Sequence, residues 1–349
     1  MKTTALRSAI TQLLPPKVRE DYRATRGLAR AQQAFRARFP TATGLFLRRL
    51  RIQFAPKRTV LFYPQLPIDN YVIYKLCGIL GYKLVNDPRR RHDVAVHLFS
   101  STRAEPGDVL RLPKGGPLIN GRLRDTSKTA VAAAFERSFG YALKVDPTRY
   151  EGKAVEKAED NGVHDARVVD CPLPPEAVRA CYTYQKAVDN TLPDGGFLDY
   201  RVPVHGYSVP LVFCKHVMPG AQFQSCYSRV DVRAPHQVFD REELAKIVAF
   251  ARDFGLEFGE LDVLRDRTDG RIYIVDVNNV PVGPRAQSGE LIKARPGPSL
   301  SEVDRKTMLQ MAASFDQLVE ESLMRAQRVL QPARQVPLPK LRGPRATGL

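Results

Sequence analysis

Gly259-Glu260-Leu261-Asp262-Val263-Leu264-Arg265-Asp266-Arg267-Thr268-Asp269-Gly270-Arg271-Ile272-Tyr273-Ile274-Val275-Asp276-Val277-Asn278-Asn279 reads as two alternating runs joined at Asp269-Gly270, a strong β-hairpin signal. Register decides what the hairpin displays. A three-residue Thr268-Asp269-Gly270 loop with Gly270 left-handed pairs Arg267 with Arg271, which sets Asp262 opposite Asp276 and Glu260 opposite Asn278. Side chains alternate along a strand, so all four polar groups then share one face. The other face carries Leu261, Val263, Tyr273, Val275 and Val277 as core material. Three carboxylates and an amide on directly opposed positions repel one another unless a cation is present. Oxygen donors of this kind suit Mg2+, which takes one or two carboxylates together with substrate phosphates. Two alternatives stay open: a polar face turned to solvent, or a two-residue Asp269-Gly270 loop that sends Asp262 and Asp276 to opposite faces.

Outward from the hairpin, the segments alternate between strand and helix patterns. Val60-Leu61-Phe62-Tyr63, Tyr82–Val85 and Asp93–Phe99 read as strands, with a helix capped by Asp69 or Asn70 and ending near Gly81. Strand, helix, strand over so short a span predicts a small parallel α/β unit. Helices are expected at 127–138, with Ser127 as cap, and from Asp240 to Phe254, with Asp240 and Glu243 as a capping box. A long helix is expected at Ser301–Leu330. Ala154–Ala158, Val168–Cys171, Cys181–Val188, Tyr200–Val204 and Val209–His216 are strand candidates.

The chain has 349 residues and a net charge of +17, which on its face suggests nucleic acid or an anionic membrane. Residues 1–58 hold 14 Lys and Arg against Glu20 and Asp21, an excess of 12. Residues 331–349 hold Arg334, Lys340, Arg342 and Arg345 with no acid, a further 4, so only +1 belongs to everything between. Residues 1–57 therefore read as basic helical segments, either contacting an anionic membrane or packed on the main body. Nucleic acid is not expected as a partner. The Arg-rich start also resembles a transit peptide, against which Glu20 and Asp21 count. Five scattered cysteines without CxxC spacing suggest neither disulfides nor a zinc site, and point to a reducing, cytoplasmic setting, with a membrane-peripheral one as the alternative. No apolar run is long enough for a transmembrane helix. Dispersed histidines, and the absence of Gly-x-Ser-x-Gly and Walker motifs, set aside nucleophilic hydrolases and P-loop NTPases.

On Gly259-Glu260-Leu261-Asp262-Val263 and Val275-Asp276-Val277-Asn278, followed by Pro281 and Gly283, the sequence resembles the ATP-grasp superfamily. In that family an Asp on one strand, and a Glu and an Asn two residues apart on the next, bind a pair of Mg2+ ions that bridge ATP phosphates. Asp262 and Asn278 match, and Asp276 stands where the Glu is usual. Val155-Glu156-Lys157 looks like the strand whose Lys reaches the phosphates, with the 158–165 loop after it; Lys128 resembles an earlier phosphate-binding lysine. Tyr184-Gln185-Lys186-Ala187-Val188-Asp189 is similar to the inter-lobe hinge that holds adenine, and Asp189 or Asp194 could accept from ribose or simply serve a turn. Asp199-Tyr200-Arg201 resembles the Asp-x-Arg strand of ligase members, with Lys215 as the cation on the following strand. Arg201 and Lys215 would neutralise charge in phosphoryl transfer, or else form structural ion pairs.

The resemblance implies an α/β protein: a 1–57 extension, a 58–115 unit, an ATP-grasp body over 116–330 with lobes at 116–183 and 184–330, and a 331–349 tail. It implies ATP and Mg2+, with Mn2+ as the alternative ion. The implied activity is ligation of a small-molecule carboxylate to an amine or other nucleophile through an acyl phosphate. A small-molecule kinase on the same scaffold is the nearest alternative. A basic membrane- or nucleic-acid-binding module around a non-catalytic core is the second. Substrate choice is expected to lie in loops such as Gly283–Pro298.

Overall fold

A computed structural model describes residues 16–36, 41–108, 116–163, 165–223, 227–283 and 302–330. The basic tail, residues 1–15 and all of the 283–298 loop after Gly283 lie outside the described residues.

Two helices come first, α1 (Pro16–Arg36) and α2 (Ala42–Phe54), the second capped by Thr41, whose hydroxyl accepts from the Gly44 N–H at 3.1 Å. The unit that follows comprises β1 (Thr59–Pro64), α3 (Val72–Leu80), β2 (Lys83–Val85), β3 (Val94–Leu98) and β4 (Leu118–Ile119). Its strands form a parallel sheet in the order β2-β1-β3-β4, as the strand–helix–strand spacing predicted. Neither Asp69 nor Asn70 caps α3: the cap is Tyr71, which makes no side-chain cap bond, and the Val72 N–H goes instead to Pro281 O at 2.8 Å. Gly81 ends the helix in the left-handed region, at φ 75°.

The basic start is not all surface. Leu28, Ala29, Phe35 and Ile52 are buried with Val60, Phe62, Leu76 and Phe315 in one core. Both α1 and α2 thus contribute to the core of the parallel sheet.

Next come α4 (Lys128–Phe139), β5 (Gly152–Ala158), β6 (Arg167–Cys171) and β7 (Tyr182–Lys186). Ser127 caps α4 as expected, accepting from the Ala130 N–H. The three strands form an antiparallel sheet in the order β6-β5-β7. The remainder is β8 (Phe197–His205), β9 (Val212–Val217), β10 (Tyr227–Arg233), α5 (Arg241–Phe254), β11 (Phe258–Arg265), β12 (Ile272–Asn278) and α6 (Glu302–Leu330). Its strands form a five-stranded antiparallel sheet in the order β10-β9-β8-β11-β12. The Asp240–Glu243 capping box of α5 is present in both directions. The edge strand β10 was not expected. The architecture is the mixed α/β class anticipated, with parallel and antiparallel sheets segregated. A second core, including Phe135, Val202, Phe250, Leu261 and Val277, packs α4 and α5 on the inner face of the five-stranded sheet.

The β11–β12 hairpin corrects one expectation and fulfils another. Its tip does not pair Arg267 with Arg271. Arg265 faces Ile272, and the Asp266 N–H donates to Arg271 O at 2.9 Å, so the loop runs from Arg267 to Gly270. The tip is therefore out by one residue, and a register shift after Asp262 compensates, leaving Val275 as an extra residue on β12. Asp262 then faces Asp276 and Glu260 faces Asn278, as expected. Leu261, Val263, Tyr273 and Val277 are buried. Val275, the extra residue of the bulge, is only partly buried, packing against the core as expected while also lining a cavity.

Candidate active site

The cavity, about 820 Å3, opens between the three-stranded and five-stranded sheets. β5 and β7 contribute Val155, Lys157, Gln185 and Lys186; the larger sheet contributes Asp199, Arg201, Lys215, Asp262, Asp276 and Asn278. Its far end reaches Tyr71 and Ser100 of the first unit.

Sheet order explains what meets on its floor. Asp262 on β11 lies directly across from Arg201 on β8 and from Asp276 on β12. Arg201 Nε and Nη2 donate to the two Asp262 oxygens, each at 2.9 Å, a bidentate fork that fixes both groups. Lys215 faces Asp199 across β8 and β9, with its Nζ 3.8 Å from Asp199 Oδ2, 3.7 Å from Asp262 Oδ1 and 5.2 Å from the Tyr227 ring centre. Lys128, at the first turn of α4, donates to Asp276 Oδ1 at 2.6 Å and also to Asn161 Oδ1. Lys157 Nζ donates to the carbonyl of the bulged Val275 at 2.9 Å.

The charges are strongly coupled. Burial alone would raise the Asp262 carboxyl, but Arg201 and then Lys215 override it and bring it down to about 2. Burial pushes Glu260 up to about 7, with Arg201, 3.5 Å away, only partly opposing. Glu260 Oε1 has no hydrogen-bond partner among the described residues. Burial brings the Lys157 ammonium down to about 8, Asp276 resisting and Lys128 adding to the fall. Asp199 is raised, again chiefly by burial.

The sequence argument expected the acids to repel unless an ion joined them. The chain itself supplies the counter-charge: Arg201 and Lys215 are drawn to Asp262, the ion-pair alternative open to them in the sequence, and Lys128 reaches Asp276 from α4. The acids do not form a ready-made cation cage, since among the described residues no three His, Cys, Asp or Glu are grouped to hold a metal. Asp262, Asp276 and Asn278 nonetheless present oxygen donors at neighbouring positions on the cavity side, a set that suits an ion completing its shell with phosphate and water. Asn278 Oδ1 also accepts the Val280 N–H at 3.0 Å.

The hinge segment divides. Gln185, Lys186 and Val188 line the cavity, with Gln185 Nε2 buried and unpartnered among the described residues. The Ala187 N–H is taken by Lys153 O, and Asp189 caps its own turn at Thr191 and pairs with Arg267. Asp194 likewise accepts from its own Gly196 N–H, the turn role. Lys186 is drawn to the hairpin tip, 2.7 Å from Asp266 and 3.0 Å from Asp269, pairs that outweigh burial and raise its pKa. Asn161 is a site residue that the sequence did not single out, within a loop expected only to follow the Lys157 strand. It ties that loop to Thr102, Thr126 and Lys128.

No family model matches the chain, and no curated protein matches it. Among solved structures it is similar to the ATP-grasp ligase PsnB complexed with a phosphomimetic variant of minimal precursor, Mg and ADP, at 16% identity and a TM-score of 0.31 over 45% of this chain and 50% of that one. It is similar also to VanG D-Ala:D-Ser ligase from Enterococcus faecalis, at 12% identity and 0.43 over 68% and 74%. A RimK domain ATP-grasp protein from Sphaerobacter thermophilus gives 12% and 0.43 over 75% and 99%. The chain spans about half the length of the PsnB structures it matches.

Proposed function

We propose that the cavity binds Mg-ATP and that the chain is an ATP-grasp ligase, activating a substrate carboxylate as an acyl phosphate for attack by an amine or other nucleophile. One observation carries this reading: Arg201, Asp262 and Asp276 stand side by side on three strands of the cavity floor, with Lys128, Lys157 and Lys215 around them. Each cation is engaged within the site, yet Lys128, Lys157, Arg201 and Lys215 all line the cavity, so that a polyphosphate entering with its metal would meet positive charge on every side while the metal takes over the acids.

In this reading Asp262, Asp276 and Asn278 hold the ion, with Glu260 behind them. Bound Mg2+, or Mn2+ in its place, supplies charge neutralisation to the phosphates. Lys128, which donates to Asp276, and Lys157, which donates to the Val275 carbonyl, would hold phosphate oxygens. The Arg201 fork keeps Asp262 ionised and aimed, while Lys215 lies where charge develops on the transferred phosphoryl group. The 185–189 segment, of which Gln185, Lys186 and Val188 line the cavity, would receive the nucleotide base. The three-stranded and five-stranded sheets act as the two lobes, so the division between them falls after β7 at Lys186, and the preceding unit extends past residue 115 to include β4.

The test is turnover of ATP with Mg2+ in the presence of pooled carboxylates and amines. ADP release that requires both a carboxylate and an amine supports ligation. ADP release with a single acceptor assigns phosphotransfer instead, and absence of both turnover and Mg-ATP binding contradicts the reading.

A further inference from the structure

Away from the cavity, α2 presents an anomaly. Its inner face buries Ile52 and packs Leu45 on the core, while Arg49 Nε donates to Tyr22 O at 2.6 Å. Its outer face should then be polar. Leu47, Arg51 and Phe54 instead follow one another at helical spacing on that face, with Leu47 59% and Phe54 62% exposed. They are the most exposed large apolar side chains of the N-terminal half among the described residues.

The setting is strongly cationic. Among the described residues Arg51 is exposed on this face and Arg26, Arg30 and Arg36 are exposed on α1, while Lys57 and Arg58 pair with Asp316 and Glu320. The sequence of residues 1–58 as a whole carries an excess of 12 positive charges. Of the two acids, Asp21 is already engaged by Arg90. A second copy docked by the same face would bring its own Arg51 against this one, so self-association there is opposed electrostatically. A nucleic acid would satisfy the arginines and leave Leu47 and Phe54 unused. An anionic bilayer surface satisfies both: apolar side chains enter the acyl boundary while Lys and Arg meet the headgroups.

We infer that the outer face of α2, centred on Leu47, Arg51 and Phe54, is a docking surface for anionic lipid membranes, holding the protein at the bilayer surface. None of this depends on the chemistry assigned to the cavity. Among the described residues no helix is long and apolar enough to cross a membrane, and the surface needs none.

The test sediments the full chain with phosphatidylcholine vesicles and with the same vesicles containing phosphatidylglycerol. The expected result is binding to the anionic vesicles alone, weakening as salt rises. The double variant L47S/F54S is expected to lower apparent affinity by about tenfold or more at an unchanged melting temperature. No binding to anionic vesicles overturns the inference, as does equal binding by wild type and double variant. Should the double variant lose its folding transition, Arg51→Glu on the same face serves as second probe, with several-fold weaker binding expected and unchanged binding contradicting. A chain that is dimeric in solution, and becomes monomeric in L47S/F54S, also overturns it.

Discussion

Glu156 on β5 and Glu260 on β11 are each about 1% exposed, yet their surroundings are opposite. Glu156 accepts from Arg167 at 2.7 Å, Arg179 at 3.0 Å and the Tyr184 hydroxyl at 2.7 Å. Burial acts to raise it, and these partners together overcome burial and hold it near 2. Glu260 has one long contact with Arg201 and a bare oxygen, and burial lifts it to about 7. Buried polar groups are normally satisfied, and an exception calls for a reason. The first glutamate is completed by its own neighbours and serves the small sheet. The second lies behind Asp262 and Asn278, in the cluster we assign to the metal and phosphates.

The largest effect separating the two networks is expected at Arg201. Arg201→Met would leave Asp262 and Glu260 buried without their shared cation, at a cost of about 3–5 kcal/mol in urea unfolding. A loss under about 1 kcal/mol would mean that the acids are not held by that fork. Glu156→Gln should cost about 2 kcal/mol, since its arginines reach water once released, and should leave Mg-ATP affinity unchanged. Because the folded value of Glu156 lies below its ordinary 4.5, its stabilisation is complete above that pH and is lost as pH falls towards about 2. Acid titration of Glu156→Gln should therefore show a shallower loss of stability over that window than wild type. The smallest effect belongs to Glu260→Gln, which removes a poorly satisfied carboxyl and is expected to shift stability by less than about 1 kcal/mol. A loss equal to that of Glu156→Gln would erase the distinction drawn between them.

Much of this was legible in local sequence. Alternation and Asp269-Gly270 gave the hairpin, Ser127 and Asp240 gave two helix starts, and Gly81 gave a helix end. The hairpin tip was misread by one residue, and the bulge at Val275 restored the pairing at the acids, so the right site register came through a wrong loop. The cations themselves were legible as candidates, but not the acids they pair with. Arg201 and Asp262 are 61 positions apart and meet only because β8 lies beside β11 in the sheet. Lys186 looked available to a nucleotide, but Asp266 and Asp269 at the folded hairpin tip claim it. For the basic start, net charge was a poor guide to packing: buried Tyr22, Leu28 and Ile52 seat α1 and α2 against the body, and the exposed apolar side chains lie on one face of α2.

The central claim is that Asp276, with Asp262 and Asn278, holds a metal that arrives with ATP. Isothermal titration of ATP in the presence of Mg2+ into wild type and Asp276→Asn tests it directly. The account predicts that wild type binds and that the variant loses at least about tenfold in affinity, while its binding of ATP with the metal chelated stays the same as wild type. Equal Mg-ATP affinity in the two proteins would contradict it.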